Sequence, residues 1–220
     1  MARLPRIVIP NTPHLITQRG NRGLDVFFCE DDAAAYLEIM AEQCARFGVS
    51  IWAYCLLPGR VHLLAVPQDE TGLGRALGEA HRRYTKRIND REGWTGHLWQ
   101  SRFSSFPMDE AYILPAAHFI EMSPVLSGLC KAPATFRWSS ARAHLKGQDD
   151  ALCKAAPLLE RAPDWEAFLQ KGVNIGKVQT ITGHISTGRP LGSTDFIEKL
   201  ESHTGRALKK RRPGRKKKRV

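Results

Sequence analysis

Residues 49–67 read VSIWAYCLLPGRVHLLAVP, two runs rich in β-branched, aromatic and aliphatic residues, 49–57 and 60–67, on either side of Pro58-Gly59. Proline presets φ for one turn position and glycine frees the next, so the stretch predicts a β-hairpin. Alternation along a strand puts residues two apart on one face. Arg60 and His62 therefore share a face of the second strand.

Working outward, 31–47 (DDAAAYLEIMAEQCARF) carries Tyr36, Ile39, Met40, Cys44 and Phe47 at helical spacing, with Gly48 as a stop signal. Before it, 13–19 (PHLITQR) has strand character. From 72 to 92 a second helix places Leu73, Leu77, Ala80, Tyr84 and Ile88 on one stripe, with Arg75, Arg82, Lys86 and Asn89 opposite. Tyr84 reads as a core residue with a hydrogen-bonded hydroxyl. GHLWQSRFSSFPM (96–108) is a loop and strand, followed by a helix over 109–122. Strand-helix-strand-strand-helix-strand predicts an α+β, ferredoxin-like antiparallel sheet with helices on one face. After Pro124 come short amphipathic pieces at 136–145, 164–172, 174–186 and 193–202. They predict a main domain over 1–150, a small helical C-terminal extension over 151–205, and a disordered basic tail over 206–220.

The chain has 220 residues, 42% apolar and 25% charged, as in ordinary globular proteins, and a net charge of +11. Nine of those net charges fall in 209–219, KKRRPGRKKKR, which has no acidic residue and is too polar to build a core. A basic chain of this kind favours a polyanionic partner. The five cysteines are scattered and never spaced C-x-x-C, against both a disulfide framework and a thiolate zinc site. No signal-peptide core and no run of 18 apolar residues occurs, so a cytoplasmic protein, with no role in a membrane, is expected.

A metal-dependent phosphodiester-transfer enzyme needs a cation on the scissile phosphate and an aligned nucleophile. A His-x-His pair on a strand presents two imidazoles to one ion. Around that strand, ARLPRIVIP (2–10), PHLITQRGN (13–21), WAYCLLPGRVHLLAVP (52–67), ALGEAHRRYTKRIN (76–89), GHLWQSRF (96–103), HFIEMSPVLSGL (118–129), WSSARAHL (138–145) and TGRPLGSTDFIEKLE (187–201) follow in order. On these landmarks the chain resembles the HUH single-tyrosine transposases of the insertion-sequence-200-like kind, specifically the REP-associated tyrosine transposases. The resemblance implies a ferredoxin-like domain, commonly dimeric, that binds single-stranded DNA folded into hairpins. In active members a tyrosine attacks the phosphodiester and becomes linked to the 5′ end, with Mg²⁺ or Mn²⁺ as the metal.

The sequence departs from that family at the residues that perform the chemistry. The usual Pro-Asn-His-hydrophobic-His supplies two ligands; here the first is Arg60 and only His62 remains. Arginine has no lone pair to offer a cation. The nucleophile and third-ligand positions are Phe119 and Ser123, and phenylalanine has no oxygen to attack with. Pro115 falls inside the same helix, where it predicts a kink. Tyr112, seven residues before Phe119, lies two turns away, about 10 Å along the axis. A catalytically inactive DNA-binding protein is therefore expected, needing no cofactor. The alternative is an active transposase or single-strand endonuclease with a rearranged site, which would use Mg²⁺ or Mn²⁺, with Tyr112 the next tyrosine to examine as its nucleophile.

For the binding protein, Arg60 is either a phosphate clamp at the former metal position or a tolerated surface residue. Gln18, Arg19 and Asn21 offer forked donors to bases or phosphates. Trp99 and Phe103 either stack bases or belong to the core. Arg75, Arg82, Arg83, Lys86 and Arg87 either track the DNA backbone or form a solvated face, and Arg102 joins them. Lys209, Arg211, Arg212 and Arg215 supply non-specific attraction in the tail. His62 alone is more simply a structural histidine than a metal ligand. A chromosome-associated role follows.

Overall fold

The computed structural model describes residues 6–172 and 174–209. Four strands, β1 (His14–Arg19), β2 (Val49–Leu57), β3 (Arg60–Pro67) and β4 (Ser104–Pro107), form one antiparallel sheet in the order β2-β3-β1-β4. The predicted hairpin is β2–β3, closing on Leu57 opposite Arg60. β3 then pairs with β1, so that Thr17 faces His62 and Arg19 faces Arg60 across the ladder.

Helices α1 (Glu30–Arg46) and α2 (Gly72–Glu92) cover one face of the sheet. Tyr36 and Met40 of α1 and Leu73 and Leu77 of α2 share a core with Ile16, Leu63 and Ala65. Tyr84 is buried there and its hydroxyl donates to the Val26 carbonyl at 2.6 Å, as its position in the stripe predicts.

The expectation that helices occupy one face holds for α1 and α2, whereas α3 (Glu110–Leu126) packs on the other. Its Ile113, Ala116, Ala117 and Ile120 meet Leu15, Ala53, Cys55 and Leu64, the alternate residues of the same strands. Both faces of the central strands are apolar, so both must be covered. The helix is also continuous through Pro115, where sequence predicts a kink, and includes Pro124. The carbonyl that Pro115 leaves without its N–H partner belongs to Ala111, an exposed residue in the first turn of the helix, where water can satisfy it.

Beyond α3 lie α4 (Ala141–Lys146), α5 (Ala156–Leu159), α6 (Trp165–Gln170), α7 (Ile175–Thr187) and α8 (Thr194–Thr204). Leu158, Trp165, Leu169, Ile181, Ile185 and Leu191 join the core beneath α3. Asp164, Asn174 and Ser193 cap α6, α7 and α8 by accepting from backbone N–H groups three residues on. Residues 206–209, expected in the disordered tail, are placed against α8. Leu208 packs on Ile7 and Leu200, and Glu201 accepts from the Leu208 and Lys209 backbone N–H groups. The remaining tail residues, including Arg211, Arg212 and Arg215, lie outside the described residues. Among the described residues no helix is long and apolar enough to cross a membrane.

Candidate functional site

β1 and β3 bring Thr17, Arg19, Arg60 and His62 to the α3 face of the sheet, and α3 lowers Phe119 onto them. The His62 ring meets Phe119 edge-on with centroids 5.1 Å apart, and its Nδ1 shares a 2.9 Å hydrogen bond with Thr17 Oγ1. His62 is buried, and burial, with Arg60 and Arg19 adding, pulls its pKa down to about 3. It is therefore neutral at physiological pH.

Arg60 lies two residues from His62 and directly opposite Arg19. Burial and then the Arg19 charge lower the Arg60 pKa. Among the described residues no ion pair offsets either guanidinium. Two adjacent cations without a counter-charge form a site that favours an anion. The strand ends stay close because Gly20 N–H donates to Gly59 O at 2.9 Å while the Leu24 carbonyl covers both glycines; a Cβ at Gly20 would fall 2.0 Å from that oxygen.

The residues present do not suit the divalent metal that the family resemblance implies. His62 is one ligand, and the neighbouring charges on Arg19 and Arg60 repel a cation. The Ser123 hydroxyl donates back to the Phe119 carbonyl at 2.7 Å, within its own helix. Among the described residues no three His, Cys, Asp or Glu side chains cluster with metal-binding geometry. Tyr112 lies beneath the Lys177 ammonium, 4.3 Å from its ring centroid, two turns before Phe119.

The other expected DNA contacts divide. Arg19 and Arg87 are exposed, and Asn21 donates its side-chain amide to His97 O. Three cations of the α2 face are paired with carboxylates: Arg82 with Glu79, Arg83 with Glu42 and Lys86 with Asp90. Arg75 packs on the Phe47 ring, and Lys209 pairs with Glu198. Trp99 is a core residue whose ring is enclosed by Phe27, Tyr36, His81 and Tyr84, so its faces are covered against a stacking base. Phe103 is buried under the Arg6 guanidinium. Gln18 is also buried, its Nε2 donating to Arg19 O and Gln100 O. Arg102 is exposed beside it in the 97–103 loop.

Sequence reasoning missed a buried polar cluster on the far side of α3. Glu121 Oε1 accepts from Ser140 Oγ and meets His144 Nδ1 at 2.6 Å, while Oε2 accepts from Trp165 Nε1 at 2.8 Å. The only sequence signal was Glu121 set between the apolar Ile120 and Met122 of α3.

The neutral histidines make stability fall in acid. His14 accepts from the Ile9 N–H on Nε2 while Nδ1 meets Thr12 O at 2.7 Å, and burial lowers its pKa to about 4. Above pH 6.5 His14 and His62 are neutral both folded and unfolded. Below it the unfolded chain takes up protons that the folded chain refuses. Each then removes stability at up to about 1.4 kcal/mol per pH unit until its folded pKa is reached. Thermal unfolding between pH 7 and 4 should show this decline, shallower in His62→Asn; equal slopes would refute it.

The chain belongs to the IS200-like transposase family, whose model matches residues 12–123, half of the chain. A REP-associated tyrosine transposase bound to a REP hairpin superposes with a TM-score of 0.55 at 17% identity, over 70% of this chain and 92% of that one. A putative transposase from Deinococcus radiodurans R1 matches with a TM-score of 0.37 at 23% identity, over 55% of this chain and 96% of that one. No curated protein matches the chain.

Proposed function

We propose that this protein binds hairpin-forming single-stranded DNA without cutting it, as a chromosome-associated, catalytically inactive member of its family. The observation that carries the reading is the pair of guanidiniums, Arg19 and Arg60, with no ion pair to either among the described residues, where the family resemblance implies a metal ligand. Arg60 stands at the first ligand position beside Arg19, Phe119 occupies the nucleophile position, and Ser123 is committed to its own helix. A guanidinium pair holds a phosphate through charge-assisted hydrogen bonds and needs no metal. The neighbour bound to a REP hairpin supports hairpin DNA as the ligand class. Such a protein acts as a repressor or as a non-cutting competitor of an active relative.

The test uses labelled single-stranded hairpins from DNA flanking the gene, incubated with the full chain in Mn²⁺ or EDTA. A native gel should show the same shift in both, and a denaturing gel no cleavage product and no covalent adduct. Metal-dependent cleavage would overturn the reading.

A further inference from the structure

A cleft of about 420 Å³ lies between the loop that leads from β1 into α1 and the segment that follows α2. Its lining holds one carboxylate, Asp25, and no lysine or arginine, although the chain as a whole carries +11. Asp25 is exposed and has neither an ion pair nor a hydrogen bond among the described residues, so its charge is open to a ligand.

Two amides of the lining add acceptors. Asn21 Nδ2 donates to His97 O at 3.2 Å, and Asn89 Nδ2 donates to Gly96 O at 3.1 Å. A backbone carbonyl can only accept, so each bond fixes which end of the amide is the nitrogen. The oxygen of each side chain is left as an acceptor that receives no donor among the described residues.

The rest of the wall is apolar and open. Leu24, Phe28 and Trp94 are 65%, 45% and 49% exposed, and the two rings meet edge to face with centroids 5.6 Å apart. An aromatic face attracts a cation through its quadrupole. The pair already has one at its side: the Arg91 guanidinium lies 6.0 Å from the Phe28 centroid, where Asp32 and Glu92 neutralise it. A carboxylate, two amide oxygens and ring faces, with no basic side chain among them, repel a phosphate and suit an organic cation.

We propose that this cleft binds an alkyl polyamine. One ammonium group meets Asp25, further N–H groups donate to the oxygens of Asn21 and Asn89, and the methylenes between them cover Leu24, Phe28 and Trp94. Acceptors from three separate residues suit a ligand whose donors are spread along its length, which a single ammonium or guanidinium is not. The site is opposite in sign to the Arg19–Arg60 pair and does not depend on the DNA-binding reading.

The test is calorimetric titration of the DNA-free full chain, of Trp94→Ala and of Asp25→Asn with spermidine, with octanediol as a neutral chain of similar length, and with acetyl-arginine amide. Both substituted residues are exposed, and unchanged unfolding midpoints confirm that the variants fold. Spermidine should fill one saturable site per chain, and octanediol should give no binding. Trp94→Ala should weaken spermidine about fivefold, the worth of one cation–π contact. Asp25→Asn should weaken it by at least as much and flatten its dependence on salt. No saturable binding of spermidine, equal affinity in all three proteins, or octanediol binding as tightly as spermidine overturns the site. Tighter binding of acetyl-arginine amide than of spermidine overturns the polyamine in favour of a basic side chain from a protein.

Discussion

Glu121→Ala should lower the unfolding free energy by about 3–5 kcal/mol and the midpoint temperature by about 10 °C. The carboxylate lies fully buried in α3 and serves Ser140 and His144 from α4's N-terminus and body, and Trp165 from α6. Alanine leaves an imidazole and an indole N–H without their partner in a buried place, while the Ser140 hydroxyl keeps the Tyr54 carbonyl at 3.3 Å. Each orphaned group carries a desolvation cost of about 1–3 kcal/mol. Because the three partners come from different segments, the loss also loosens the attachment of residues 139–170 to the sheet. Glu121→Gln should fall between, since its amide keeps one acceptor and turns a donor toward groups that already donate. Chemical denaturation of the three proteins decides it; a change under about 0.5 kcal/mol for alanine would place the cluster among interactions of no net worth.

The double substitution Arg19→Ala, Arg60→Ala should weaken hairpin DNA binding by about 10²-fold or more, two charge-assisted phosphate contacts at about 1.5–3 kcal/mol each. The slope of log affinity against log salt should flatten by about 1.4, near 0.7 for each single-strand phosphate released. Stability should not fall with it. The two guanidiniums face each other across the ladder with no ion pair to either, and Arg60 is partly desolvated. Removing them relieves repulsion while deleting the proposed anion site. Unchanged affinity with an unchanged salt slope would make Arg60 a tolerated surface residue.

The strand and helix order was legible in the sequence because each element has a clear period and a stop. Val49–Leu57 and Arg60–Pro67 flank a Pro-Gly turn, and the α1 and α2 stripes repeat every three to four residues. The side of the sheet taken by α3 was not legible. Its Ile113, Ala116, Ala117, Phe119 and Ile120 spread apolar surface around the helix, so no stripe points to one layer. The pairing of the charged face of α2 was not legible either. Counting its cations reveals nothing of Glu42, which reaches Arg83 from α1 across 41 residues.

The chemical identity of the site residues needed no fold. Phenylalanine has no nucleophilic oxygen and arginine no lone pair wherever they stand, so the proposed loss of cleavage chemistry rests on residue types that the sequence itself gives. What each remaining group does was decided by tertiary structure. Arg19 and Arg60 are 41 positions apart and become a pair through strand register; Glu121 gains its donors from three later residues; Gln18 and Trp99 are left with unmet hydrogen bonds by the packing around them. The energy of a charge or a polar atom depends on burial and on which groups surround it, and both are set by distant parts of the chain that local periodicity does not encode.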